Sequence, residues 1–285
     1  MGGADAGLTS EPGEGVDAYG TRWLIGPEVS MVIKPAVSDT SQIADYVFPD
    51  AAAVFPPERR PSAAAVEALD VFTTASVGYG VFERAWAIRG MEDLLADAAA
   101  EPDAAELLFE RVAEHQMQIL ELVLELPVDG VRFSDDWSDQ RGVMIGPERW
   151  RRMLKPRTAR LYGRARRAGK FVVNHSCGNL SDILPDLIEI GLDVIQSVQP
   201  EAMDVYALKR EYGRDVTFWG GLGSQSILPF GTPAQIRAEV KRLVDEMGLG
   251  GGYILGPAKA VLEDTPAANF AAVLEAFLEC SGNVE

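Results

Sequence analysis

Residues 170–178 read Lys-Phe-Val-Val-Asn-His-Ser-Cys-Gly, a short apolar run that ends in a polar cluster. Consecutive apolar and β-branched residues are typical of a strand buried on both faces, as in a parallel sheet covered by helices. His175 and Cys177 then stand two residues apart, and alternate side chains project the same way along a strand. The stretch therefore predicts a parallel strand that carries an imidazole and a thiol at its carboxyl end.

Five further runs of this kind lie along the chain, each followed by a turn and then by an amphipathic stretch. This alternation is expected of β/α units. It predicts an α/β fold, a (β/α)8 TIM-like barrel that is incomplete at its N-terminal strands, with a flavodoxin-like open sheet as the alternative. The predicted strands are 71–77, 128–133, 170–174, 192–198, 216–219 and 252–255, and the predicted helical stretches are 81–125, 147–168, 179–190, 202–212, 232–247 and 265–280.

The first 60 residues have a different character, because glycine and proline are scattered through them and little periodicity is present. Such a pattern favours irregular structure. We therefore expect an N-terminal strapping segment over 1–60 and a barrel domain over 61–285.

Composition excludes several classes of protein. With 285 residues, 47% hydrophobic and 24% charged, the chain is typical of a soluble globular protein. Its formal net charge of −17 repels phosphate backbones and anionic membranes, so no nucleic-acid or membrane partner is expected. The two cysteines lie far apart, the N-terminus has no leader-like pattern, and no apolar run is long enough to cross a bilayer. A cytoplasmic location is expected.

The polar clusters follow the predicted strands, and in a barrel such strand ends form the active-site rim. Asp135 and Asp136 follow strand 128–133, and adjacent side chains at a strand tip point in opposite directions. One carboxylate can face the barrel axis while the other caps a helix or binds an arginine. We therefore expect one of the two to be functional, and the alternative is that both are loop and cap residues.

His175 and Cys177 have the spacing of a zinc-binding pair, since zinc takes imidazole and thiolate ligands and keeps a position open in catalytic sites. A third ligand is required. Cys280 falls at the end of the last predicted helix and His115 lies within a long one, so both are interpreted as structural. The alternative is a polar strand end with an inert thiol. The glycines of 220–225 lack a phosphate-loop spacing and indicate tight packing, with Gln225 as a substrate contact.

From residue 17 to 278, the order of motifs resembles the uroporphyrinogen decarboxylase-like superfamily, and within it the cobamide-dependent methyltransferase branch. The segments that carry the resemblance are Asp-Ala-Tyr-Gly-Thr-Arg-Trp (17–23), Phe-Ser-Asp-Asp-Trp-Ser-Asp-Gln (133–140), Ile-Gly-Pro-Glu-Arg-Trp-Arg-Arg-Met-Leu-Lys-Pro (145–156), Asn-His-Ser-Cys-Gly (174–178), Ile-Gly-Leu-Asp-Val-Ile-Gln-Ser-Val-Gln-Pro (190–200), Trp-Gly-Gly-Leu-Gly-Ser-Gln (219–225) and Gly-Gly-Tyr-Ile-Leu-Gly-Pro-Ala-Lys (251–259).

The resemblance implies a (β/α)8 barrel that transfers methyl groups between a corrinoid protein and a thiol or another methyl carrier, with zinc activating the acceptor. It implies His175 and Cys177 as zinc ligands. The family's third ligand is a cysteine after the last strand, and Lys259 stands at that position here. Gln199, Glu201 or an outside group would then complete the shell.

The same resemblance implies a pocket for a small methylated substrate, shaped by the Asp-Asp-Trp and Gln-Pro motifs. Asp136 is expected to act in the reaction. The expected lining is Asp135, Asp136, Gln140, Gln199 and Gln225, with Tyr79, Trp137 and Tyr253 as apolar walls. The decarboxylase branch fits less well, because this acidic N-terminus has no arginine cluster to hold a highly carboxylated tetrapyrrole.

Relatives carry a further upstream segment with the first barrel strands, whereas six strands are predicted here. Either 20–60 supplies degenerate strands, or a partner chain such as a second copy in a homodimer covers the gap, or the chain is a truncated relative.

Two alternative functions stay open. One is a metal-independent lyase or decarboxylase in which Lys259 and Asp136 handle protons or a carboxylate. The other is a non-catalytic ligand-binding or corrinoid-partner protein.

Overall fold

The first elements of the structure, a computed structural model that describes residues 12–26 and 30–281, form a small antiparallel sheet. It contains β1 (Gly13–Val16), β2 (Arg22–Ile25) and β3 (Ser30–Lys34), in that order. The sequence analysis predicts no regular structure here, because strands of four or five residues show too few positions to reveal a period. The sheet is separate from the main one, so the alternative in which 20–60 supplies degenerate barrel strands finds no support in the strands that the structure describes. The division into strap and barrel stays a prediction.

The main sheet has six parallel strands, each paired with its neighbours in the chain, and all six predicted strands are present. Most of them extend further into the polar clusters than predicted, because ladder hydrogen bonds continue through those residues. Among the described strands, no pairing joins the first to the last, so the barrel-like sheet has two free edges. The strands are β4 (Thr74–Tyr79), β5 (Gly130–Ser134), β6 (Phe171–His175), β7 (Val194–Val198), β8 (Thr217–Leu222) and β9 (Tyr253–Pro257).

Helices connect these strands, as the alternating pattern predicts, and two short helices precede them. None of the helices in the described part of the chain combines the length and apolar composition needed to cross a bilayer. The helices are α1 (Ala51–Val54), α2 (Ala63–Glu67), α3 (Val81–Arg89), α4 (Met91–Ala100), α5 (Pro102–Leu124), α6 (Pro147–Met153), α7 (Lys155–Arg167), α8 (Leu184–Glu189), α9 (Val205–Tyr212), α10 (Ile227–Phe230), α11 (Pro233–Arg242) and α12 (Ala267–Ser281).

The two faces of the sheet differ in burial. Residues such as Val131, Phe133 and Val172 are buried, and Phe133 packs on Tyr162 of α7 with ring centroids 5.1 Å apart. Several side chains that alternate with them, Arg132, Ser134 and His175, are half-buried and polar and lie on the other face. The helices therefore cover one face, and the other face carries the chemistry.

A buried carboxylate attaches the strap to the sheet. Asp17 accepts hydrogen bonds from the backbone N–H groups of Tyr19 and Thr21 and from the indole N–H of Trp23, at 2.9–3.0 Å. It also forms an ion pair with Arg84 of α3 at 3.6 Å, and both side chains are 1% exposed. The motif at 17–23 is thus a hydrogen-bonded turn that holds Arg84 against the ring of Tyr19.

Candidate functional site

Three potential ligand side chains converge at the carboxyl ends of β5 and β6. The Nε2 atom of His175 lies 3.5 Å from Sγ of Cys177 and 3.9 Å from Oδ1 of Asp136. All three ligand atoms lie within 4.8 Å of one another. The structure therefore brings the sequence-predicted pair together and adds Asp136 as a third donor, whereas the sequence analysis places Asp136 in the reaction and in the pocket lining but not among the metal ligands.

The backbone explains why these groups meet. Ser134 pairs with His175 in the parallel ladder, and Asp136 then reaches across to accept the N–H of Cys177 at 2.6 Å. Gly178 ends the turn with φ of +85°, and a Cβ there would lie 2.5 Å from the carbonyl oxygens of Ser138 and Asp139. Only glycine fits this position, so the loop after β6 is locked against the loop after β5.

The thiol of Cys177 is protonated in the metal-free protein. Burial and the negative charge of Asp136 raise its pKa to about 12, against a smaller lowering by the ammonium of Lys259. Lys259 itself is exposed at the rim. A metal ion bound by this sulfur would have to displace the thiol proton, so metal binding is expected to release protons.

The donor set fits a zinc ion. Nitrogen, sulfur and carboxylate oxygen are all zinc ligands, and tetrahedral coordination separates a nitrogen and a sulfur ligand by about 3.5 Å. This matches the observed distance between His175 and Cys177. Three protein ligands leave one position for a substrate, as in catalytic sites. Lys259, at the position where the resemblance implies a cysteine, is not needed for a three-ligand set.

Two further residues of the inward face contact His175 or lie beside it, and the sequence analysis missed them. Gln196 of β7 pairs with His175 in the ladder, and its Oε1 lies 2.9 Å from His175 Nδ1. The same oxygen accepts a hydrogen bond from Arg132 of β5 at 2.8 Å. Their period-two position on the strands was the available signal, but it does not distinguish a functional side chain from a packing one.

A third missed residue is Glu83, in the first turn of α3. It is buried and accepts a hydrogen bond from Ser134 at 2.9 Å. Burial, followed by the charges of Asp136 and Asp135, raises its pKa well above the usual range of a carboxyl group. A buried carboxyl group whose pKa is raised therefore lies behind the site.

Asp135 and Trp137 lie deeper than expected for pocket residues. Asp135 is 2% exposed and accepts the backbone N–H groups of Phe82 and Glu83, so it caps α3. Burial raises its pKa to about 7. Trp137 is buried and packs edge-on against Trp150. Both residues shape the site from behind and do not line its opening.

The glutamines lie nearer the opening. Gln140 and Gln225 are exposed, and Gln140 Nε2 donates to Gln225 Oε1 at 2.5 Å. Gln199 is buried and accepts the N–H of Gly178 at 2.6 Å, so it supports the loop of Cys177. Glu201 accepts the N–H of Gln225 at 3.0 Å. Gln140 and Gln225 thus bridge the rim, whereas Gln199 and Glu201 hold its loops.

The remaining predicted residues occupy mixed positions. Tyr79 is half-buried beneath the Arg84 guanidinium, and Tyr253 donates its hydroxyl to the Gly220 carbonyl at 2.8 Å. His115 is buried, with its Nε2 3.0 Å from the hydroxyl of Tyr19 and away from the three ligands.

A groove of about 860 Å³ lies at the amino end of the sheet, between α1, α2 and β4, and does not include the three ligands.

The comparison with protein families identifies one family, and two further comparisons find methyltransferases. The sequence profile described as uroporphyrinogen decarboxylase (URO-D) matches residues 72–279. A methylated-thiol–coenzyme M methyltransferase of Methanosarcina mazei is 27% identical over 136 residues, which are 48% of this chain and 34% of that protein. The chain thus matches about a third of the length of that relative. A solved methyltransferase from Methanosarcina mazei superposes with a TM-score of 0.71 at 19% identity, over 92% of this chain and 76% of that one.

Proposed function

Because the chain belongs to the uroporphyrinogen decarboxylase (URO-D) family, we propose that it is a methyltransferase that moves a methyl group between a small methylated substrate or thiol acceptor and a corrinoid protein. The observation that carries this proposal is the convergence of Asp136, His175 and Cys177 at the carboxyl end of the sheet. The names of the relatives support it, because both are methyltransferases.

In this proposal His175, Cys177 and Asp136 hold a zinc ion. Zinc bound there would act as a Lewis acid that lowers the pKa of a thiol acceptor and orients its sulfur. Lys259 offsets the negative charge of the carboxylates and can bind an anionic group of the substrate. The amides of Gln140 and Gln225 offer hydrogen bonds at the rim. We further propose a cytoplasmic protein that forms homodimers through its free sheet edges.

The first experiment is elemental analysis of protein purified without a histidine tag. We expect about one zinc per chain in the wild type and loss of zinc in His175→Ala and Cys177→Ser. The matched controls are His115→Gln and Cys280→Ser, since they change the only other histidine and cysteine. Equal zinc in all five proteins would exclude the assigned ligands.

The second experiment measures methyl transfer. Free methylcobalamin and a set of small thiols are incubated with the wild type, and the loss of the methylcobalamin spectrum is followed. We expect turnover in the wild type and in Cys280→Ser, and none in His175→Ala. Zinc binding without any turnover would leave a ligand-binding relative as the better description.

One observation favours an alternative, a metal-independent lyase or decarboxylase. Burial and the neighbouring charges of Asp136 and Asp135 raise the pKa of Glu83, and a raised carboxyl pKa favours proton transfer. In that case the protein would contain no zinc, and Glu83→Gln would abolish carbon dioxide release from a carboxylated substrate. Stoichiometric zinc in the wild type would count against this alternative.

A further inference from the structure

We propose that Gln196, oriented by Arg132, fixes the tautomer and ring orientation of His175 so that its bare Nε2 faces Asp136 and Cys177. The inference deepens the proposed function and rests on the zinc site described there. Neither residue touches the three ligand atoms. Gln196 contacts His175 through the other ring nitrogen, Nδ1.

The argument begins with Arg132, whose guanidinium can only donate hydrogen bonds. The Gln196 atom 2.8 Å from Arg132 Nη2 must therefore be the carbonyl oxygen and not the amide nitrogen. The same oxygen lies 2.9 Å from His175 Nδ1. An oxygen acceptor requires a proton on Nδ1, and a neutral imidazole with its proton there has its lone pair on Nε2.

The lone pair on His175 Nε2 then faces the other two ligand atoms. Nε2 lies 3.5 Å from Cys177 Sγ and 3.9 Å from Asp136 Oδ1. An isolated neutral imidazole in water prefers its proton on Nε2, which would block coordination. Metal-ligating histidines commonly donate their other N–H to an oxygen acceptor for this reason. Gln196 supplies that acceptor here.

The sheet explains why the arrangement needs two residues. Arg132 on β5 and Gln196 on β7 flank His175 on β6, and all three are half-buried on the inward face. A glutamine amide alone can turn over and present its NH2 group to the imidazole. Arg132 opposes that rotation, because the NH2 group would then face a second donor. Arg132 is therefore a positioning residue that acts on His175 through Gln196.

The first test reads the tautomer directly in metal-free protein. Long-range proton–nitrogen NMR on protein labelled with nitrogen-15 at histidine distinguishes protonated from bare ring nitrogens, and the spectra are recorded at a pH of about 8, above the range in which a free imidazole titrates. Only two histidines are present, so a His115→Gln variant assigns the signals. We expect a protonated Nδ1 and a bare Nε2 on His175. The opposite tautomer in the wild type overturns the proposal, whatever the variants do.

The second test changes the two positioning residues. Gln196→Leu and Arg132→Met should shift His175 toward the tautomer with a proton on Nε2 and weaken zinc binding about 10–100-fold in competition with a chelator. Arg132→Lys keeps a donor and should restore both readouts. If Arg132→Met changes neither the tautomer nor the affinity, Arg132 has no positioning role and the proposal fails.

The two proposals fail in different ways. A wild-type protein with the expected tautomer but no zinc affinity would contradict the proposed metal centre and leave the Gln196 assignment standing. Tight zinc binding, with a His175 tautomer that is the same in the wild type, Gln196→Leu and Arg132→Met, would contradict the Gln196 assignment and leave the proposed metal centre standing. Circular dichroism of each variant confirms that the folded state is being compared.

Discussion

The Oδ1 atom of Asp136 accepts the backbone N–H of Cys177 at 2.6 Å, so a carboxylate from one strand end is tied to the ligand-bearing loop of the next. The same oxygen lies 3.9 Å from His175 Nε2. Asp136 therefore has two separable properties, an acceptor that holds the loop and a negative charge that can bind a cation. Substitution can remove one and keep the other.

We expect Asp136→Asn to fold normally and to lose metal affinity. The amide oxygen can still accept the Cys177 N–H, but the charge is gone, so zinc binding should weaken at least about tenfold. Asp136→Ala should lose both properties and also lower the melting temperature. Chelator competition and thermal unfolding measure the two effects. Wild-type zinc affinity in Asp136→Asn would show that the carboxylate is only a loop support.

Gly80 is expected to tolerate no side chain. A Cβ at this position would lie 2.5 Å from the carboxyl group of Asp135, which is buried and holds the N-terminus of α3. We expect Gly80→Ala to destabilise the fold by about 1–3 kcal/mol through overpacking. Gly163→Ala is the matched control, because its Cβ would meet only the end of the Arg167 side chain. That control should stabilise α7 by about 0.5–1 kcal/mol. Urea unfolding measures the free energy of unfolding of both variants. A Gly80→Ala variant as stable as the wild type would contradict the prediction.

His115 should make stability depend on pH. Burial, followed by the positive charge of Arg84, lowers its pKa from 6.5 to about 4, so the folded protein keeps it neutral. Below pH 6.5 the unfolded chain binds a proton that the folded chain does not. Relative to His115→Gln, the wild type should therefore lose stability as the pH falls from 6.5 toward 4 and change no further below that. The full loss is about 3 kcal/mol, because each pKa unit corresponds to about 1.4 kcal/mol.

Chemical unfolding of the two proteins across this range measures the difference directly. Comparison with His115→Gln cancels the titration of the buried carboxyl groups that both proteins share. Parallel pH profiles would mean that His115 is protonated, or exposed, in the folded state.

Asp17 is expected to be the main anchor of the strap. Asp17→Ala removes the ion pair with buried Arg84 and the acceptor for three N–H groups, and should cost about 3–5 kcal/mol. Glu14→Ala removes the exposed Glu14–Arg22 pair of the same sheet and should change stability by less than about 1 kcal/mol. Similar losses in both variants would indicate that the strap responds to any change of charge.

The main sheet is predictable from the sequence because each strand is a continuous apolar run followed by polar residues. The spacing of residues 175 and 177 predicts that the two side chains lie close together, as they do, but not that they bind a metal. Glu83 and Gln196 are not, because their importance comes from burial and from contacts between strands. Glu83 has the sequence pattern of an ordinary first-turn helix residue, and its pKa is raised only because the fold buries it and brings Asp136 and Asp135 close to it. Asp135 and Trp137 are expected in the pocket but are buried behind it, and this too depends on contacts that the sequence pattern does not reveal.

The strand order of the sheet also has a consequence for the chain during its synthesis. Each strand from β5 to β9 pairs with the one made just before it, so a nascent strand finds its partner already present as it leaves the ribosome. Asp136, His175 and Cys177 are all translated before β7 begins. Gln196 comes after them, on β7. The trio can therefore come together while half of the sheet is still unmade, and the residue that orients its histidine is added with the next strand.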